Sequence, residues 1–181
     1  MTMADDPPQD GLTGVSGDGA HLFLCRATLA LIDKASVVAF LCGDNRFDAD
    51  FLMREGQAQG LPPSFVLSRI RVARMFTMHQ LAASVRSRLN RLLSRENVSG
   101  LMVSGIVPLF SEERIPRREA ERLLEETLGS LDTLVRTYHL PCLLSLPERT
   151  GSSLPVGSLQ RQAEAACTRI LRFDGSAEAT L

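Results

Sequence analysis

The 181-residue sequence predicts an α/β domain, a mostly parallel sheet with helices on both faces. Three observations carry that reading. Short runs rich in Val, Leu and Ile are apolar at consecutive positions, the pattern of strands buried on both faces. These runs alternate with amphipathic stretches of helical period, the order that joins parallel strands through crossover helices. The length suits one domain with one sizeable core and is too short for two ordinary ones.

Residues 1–18 read as a disordered or irregular leader, because MTMADDPPQDG is acidic and proline-rich and has no apolar targeting segment. AHLFLCRATLALID, from Ala20, reads as a mostly buried helix, and Val37 to Cys42 as the first buried strand. Residues 48–58 are helical in pattern until GLPP stops them. Arg69 to Ala73 is a second strand. From His79 to Arg95, Leu81, Val85, Leu89 and Leu92 make one apolar helical stripe. Leu101 to Val107 reads as a third strand ended by Pro108. Arg117 to Tyr138 is a long amphipathic helix with Ala120, Leu124, Leu128, Leu131 and Val135 inward. Leu140 to Leu146 and Arg169 to Phe173 supply the fourth and fifth strands. A single core domain is expected over 19–175, followed by a flexible tail at 176–181.

A net charge of −1 excludes a global field drawing the chain to nucleic acid or acidic membranes, so such binding has to be local. No apolar run reaches the ~20 residues of a membrane span, which makes a cytoplasmic protein the expectation. Cys25, Cys42, Cys142 and Cys167 lie far apart in apolar runs, read as buried thiols, and offer no close pair for zinc or redox chemistry. Of the twenty basic residues only Lys34 is lysine.

Chemistry in such a sheet is sought beyond the carboxyl ends of its strands. GVSGDGAH, from Gly14 through Gly17 and Gly19 to His21, has the glycine spacing of the phosphate loop G-x-x-x-x-G-K-[ST]. Ala20 stands where the lysine belongs and His21 where the magnesium-binding hydroxyl belongs. On its own this stretch reads equally as a flexible linker.

CGDNRFD, starting at Cys42, and SRIRVARMFTMHQL after it extend the pattern. With LMVSGIVPLFSEERIPRREAERLLEETLGSLDTLVRTYHLPCLLSL they resemble, in order and spacing, the RecA/RadA recombinase core. There one strand ends in a D-T-E-G/N-R-F-type motif, another leads into A-R-x-F-T-x-H-Q-L, and a later one carries T-N-Q. The resemblance covers roughly residues 14–175. It implies a RecA-like sheet of the P-loop type and a vestigial nucleotide site at Gly14, Gly17, Gly19, Ala20, His21, Asp44, Ser104 and Ser145. Ser104 replaces the aspartate that organises magnesium, Asp44 the longer glutamate that orients water, and Ser145, Leu146 and Pro147 the T-N-Q sensor. Phosphoryl transfer depends on lysine, metal and a water-orienting carboxylate acting together. The expectation is therefore no ATP hydrolysis, no catalytic residue, no metal and no cofactor.

His21 and Asp44 are also open to a new acid/base or metal pairing, against the simpler reading of leftover polar groups. His79, with Thr77 and Gln80, is expected in a structural hydrogen bond, and His139 at the carbonyls ending its helix. Seven arginines and no acid lie between residues 69 and 95, with Arg88, Arg91 and Arg95 on one helical face as candidate phosphate contacts. The resemblance places Arg117 in the family's first DNA loop, with Arg118 beside it, among four glutamates. The second DNA loop shrinks to ERTGSSLPVG, and Phe110 is the single aromatic near either loop, so DNA binding is expected to be weak.

These features imply an accessory or regulatory interaction protein in DNA recombination or repair, its partner a recombinase, polymerase or division protein. Residues 1–18 hold no counterpart of the additional N-terminal domain through which family members polymerise, which favours capping over filament formation; a homodimer stays open. The alternatives are a nucleotide sensor or ATPase with an altered loop, and a binding-only inhibitor similar to the bacterial SOS cell-division inhibitor.

Overall fold

Strands apolar at every position need cover on both sides, and the sheet supplies it. The computed structural model describes residues 11–111, 115–147 and 156–172. Six parallel strands run β1 (Leu12–Ser16), β2 (Val37–Cys42), β3 (Ile70–Arg74), β4 (Val98–Ser104), β5 (Cys142–Leu146) and β6 (Arg169–Arg172), in the spatial order β3-β2-β4-β5-β1-β6. The four inner strands are almost wholly buried, whereas the edge strands β3 and β6 are half exposed.

The helices divide between the faces as right-handed crossovers require. The steps β1 to β2 and β2 to β3 run toward one edge and carry α1 (Ala20–Leu31), α2 (Ala49–Ala58) and α3 (Pro63–Ser68) onto one face. The later steps run the other way. They place α4 (Met78–Ala83), α5 (Asn90–Leu93), α6 (Ile106–Phe110), α7 (Arg117–Tyr138) and α8 (Val156–Ala166) on the opposite face. Phe40 and Met102 point into the first layer, Leu101, Val103 and Leu144 into the second. The α/β class and the parallel sheet agree with the sequence. No helix among the described residues is long and apolar enough to cross a membrane.

Four expectations need correction. Residues 12–16 belong not to an irregular leader but to β1, fully buried between β5 and β6. LTGVS is short and carries an internal glycine, so its strand signal is weak; two-sided pairing overrides that. The third strand starts earlier, at Val98, and stops at Ser104; Gly105, at φ +69°, turns the chain into α6. Pro108 sits in the first turn of α6, where a backbone donor would have no helical partner, so it is tolerated instead of ending a strand. Helix α8 was not anticipated.

The fourth concerns the helix after β3. Between α4 and α5 the chain forms a π-helical turn, Ser84–Leu89, and the buried stripe is Leu81, Val85, Leu89 and Leu93, with Leu92 only half buried. Apolar residues at a strict spacing of four drift by about 40° per step around an α-helix of 3.6 residues per turn. A wider turn absorbs that drift and keeps all four leucine and valine side chains against the sheet.

Candidate functional site at the carboxyl ends of the strands

Strands β1 and β2 send their chains to one face while β4 and β5 send theirs to the other, which makes the carboxyl ends between them the crevice where such sheets bind ligands. Its contents follow from short, glycine-marked connections.

The link from β1 to α1 is three residues, Gly17 to Gly19. Gly17 has φ +104°, its carbonyl accepts the Ala20 N–H at 3.0 Å, and Gly19 caps α1 with no side-chain bond. Gly14, aligned by sequence with the first glycine of a phosphate loop, lies within β1 opposite Leu144 and Ile170. A Cβ there would stand 2.6 Å from Leu146 Cδ1 and 3.2 Å from Cys167 Sγ. Gly14 is thus a packing glycine. The connection that remains is too short to encircle a phosphate with backbone N–H groups, so the loss is one of loop length as well as of lysine. Lys34 lies exposed beyond the other end of α1, about 18 Å along a twelve-residue helix.

The structure brings Asp44, Ser104 and Ser145 together. Asp44 Oδ1 accepts bonds from Ser104 Oγ at 2.8 Å, the Arg46 N–H at 3.1 Å and Cys42 Sγ at 3.5 Å. Gly105 donates its N–H to Ser145 Oγ at 3.0 Å. The two backbones also close on each other: Gly43 N–H donates to the Ser104 carbonyl at 2.8 Å, and a Cβ on Gly105 would lie 2.5 Å from the Asp44 backbone nitrogen. This clasp ties the carboxyl ends of β2 and β4 to each other. Asp44 Oδ1 is thus engaged by three donors from the protein itself. Leu146 is buried, and the Pro147 carbonyl accepts from Gln160.

His21 lies to one side, on the first turn of α1, where it borders an open cleft of about 450 Å³ lined also by Arg46, Phe47, Asp48, Ala49 and Asp50. Its Nδ1 is buried without a partner, and Nε2 lies 3.9 Å from Cys25 Sγ. Burial lowers the His21 pKa below its usual value, against the opposing pull of Asp44 and Asp48. The imidazole is therefore held neutral, with no hydrogen bond to Asp44. Among the described residues no group of three or more His, Cys, Asp or Glu side chains is placed to hold a metal ion. The cysteines are free; burial pushes the thiols of Cys25 and Cys167 up to about 12 and raises that of Cys142 further. Thiols of that kind are poor nucleophiles at neutral pH.

The remaining sequence candidates are dispersed. Thr77 and Gln80 form a reciprocal cap, Thr77 Oγ1 accepting from Gln80 N–H and Gln80 Oε1 from Phe76 N–H, while exposed His79 faces Glu119 at 3.7 Å. His139 ends α7 in the left-handed region, its N–H on the Val135 and Arg136 carbonyls. Arg117, on the first turn of α7, pairs with Glu121 at 2.9 Å, and Arg118 is exposed beside it. Phe110 is buried in the core and offers no stacking face. Arg88, Arg91 and Arg95 are exposed, at the far end of the helix from the clasp. Most of ERTGSSLPVG falls outside the described residues. Sequence reasoning missed Gly105, whose left-handed turn builds the clasp, and Asp48, which caps α2 through the Phe51 N–H at 2.8 Å. An aspartate three residues before an apolar helical position is a readable capping signal.

No protein-family model matches this chain, and a search of curated proteins finds no match either.

Proposed function

We propose that this chain is a non-catalytic relative of the RecA/RadA recombinase core that acts by binding a protein partner. The observation that carries the reading is the clasp that engages Asp44 with Ser104 at the carboxyl ends of β2 and β4. Transfer of a phosphoryl group needs backbone donors around the phosphates, a lysine, and carboxylates free to position magnesium and water. Here the β1–α1 connection is three residues long, Ala20 stands at the lysine position, and Asp44 is engaged by Ser104 and Arg46. The strand order also favours the reading: β3-β2-β4-β5-β1-β6 is neither the 3-2-1-4-5-6 order of dinucleotide-binding sheets nor the 2-1-3-4-5 order of flavodoxin-like ones.

Isothermal titration of the full chain with ATP and magnesium tests this. No heat of binding is expected. A dissociation constant in the micromolar range or tighter overturns the proposal and favours a nucleotide sensor with an altered loop.

A further inference from the structure

The helical segment that follows β3 carries Arg86, Arg88 and Arg91, and the turn after it carries Arg95; all four are exposed, and none of them ion-pairs with a described residue. On the helices α1 and α7, by contrast, several arginines have an acidic partner: Arg26 pairs with Glu55, Arg117 with Glu121, Arg122 with Glu126 and Arg136 with Asp132. The acid next in sequence, Glu96, is taken by Arg71 of β3 at 2.8 Å. Seven arginines and no acid between residues 69 and 95 make a concentrated positive field on a chain of net charge −1.

The π-helical turn sets how these side chains are displayed. With Leu81, Val85, Leu89 and Leu93 inward at a spacing of four, Arg91 falls opposite the buried row, Arg86 and Arg88 lie on its two flanks, and Arg95 follows in the turn beyond the helix end. Between the arginines the exposed positions are Ser87, Asn90 and Ser94. The two serine hydroxyls turn back to the Ala83 and Arg91 carbonyls, and Asn90 Oδ1 accepts from Tyr138. No large apolar side chain of this helix is exposed. A protein partner would want an apolar centre with a polar rim, which this face lacks. Guanidinium forks with nothing apolar between them match phosphate oxygens instead.

We propose that this arginine face binds the phosphate backbone of duplex nucleic acid without reading its bases. The aromatic side chain beside the arginines, Tyr138, is half-buried with its hydroxyl engaged on Asn90, and backbone contact alone carries no sequence information. The site does not involve Asp44 or Ser104, so it stands or falls separately from the loss of ATP chemistry.

Fluorescence anisotropy with the full chain and a labelled mixed-sequence DNA duplex tests it. Binding is expected at low salt, with log affinity falling against log salt at a slope of about −3 to −4 if all four arginines meet phosphates. Replacing Arg86, Arg88, Arg91 and Arg95 together by Gln should weaken binding by about tenfold or more and flatten the slope. Arg91→Gln and Arg95→Gln singly should each reduce the slope by about one, and they guard against misfolding of the quadruple variant. Arg122→Gln, on α7, should leave binding unchanged. Absence of duplex binding at low salt, unchanged binding by the quadruple variant, an equal loss in Arg122→Gln, or displacement of the duplex by a poly-glutamate peptide of equal charge each overturns the proposal, the last in favour of an acidic protein.

Discussion

At Gly14 the absence of a methyl group decides which of two structures the segment can adopt. Spacing relative to Gly19 suggests a phosphate loop; packing against Leu146 and Cys167 makes it a strand. Sequence spacing cannot separate a glycine needed for backbone freedom from one needed for a close approach, whereas Asp44 and Ser104 lie where β2 and β4 end, with Ser145 in β5 beside them. That Ser104 would bond Asp44 directly was not legible, because it depends on the Gly105 turn bringing β2 and β4 ends together. Gly14→Ala is expected to destabilise the protein by about 1–3 kcal/mol through overpacking, measured by urea unfolding. An unchanged midpoint would return Gly14 to a loop role.

Among the elements, legibility followed the strength of the period. Helix α7, with apolar residues at regular threes and fours and charges outside, begins and ends where the sequence placed it. Strand β1 and helix α8 escaped because neither has a strong pattern of its own; β1 is ordered by pairing and α8 by packing Leu159 and Ala163 into the core. The π-helical turn escaped because an assumed 3.6 period selects Leu92 as the next buried residue. Calorimetric or urea unfolding should rank the two neighbours: Leu93→Ala is expected to cost about 2–4 kcal/mol and Leu92→Ala about 1 kcal/mol. The reverse ranking would mean that the helix runs without the wider turn. Ion pairs on the exposed face of α7, such as Arg136 with Asp132, contribute little to either figure.

For the whole molecule, the order of the sheet matters more than any single contact. Leu12 pairs with Cys142 and Thr13 with Arg169, so β1 joins β6 to the rest of the sheet. Starting the chain at Gly19 removes that bridge together with buried Leu12 and Val15. The expected result is loss of the cooperative unfolding transition, a deficit above about 5 kcal/mol and comparable with the stability of an ordinary domain. An unaltered thermal transition would mean that β1 is dispensable.

The same placement of β1 carries a kinetic consequence. Strand β1 precedes both of its neighbours by more than a hundred residues, and β5 and β6 must both be made before its two edges are covered. At about 5–20 residues per second that wait is on the order of 10 s on the ribosome. Pairing across so long a loop is also intrinsically slow. Through that interval both edges of β1 stay open, so closing the sheet across it is a late, long-range step of folding.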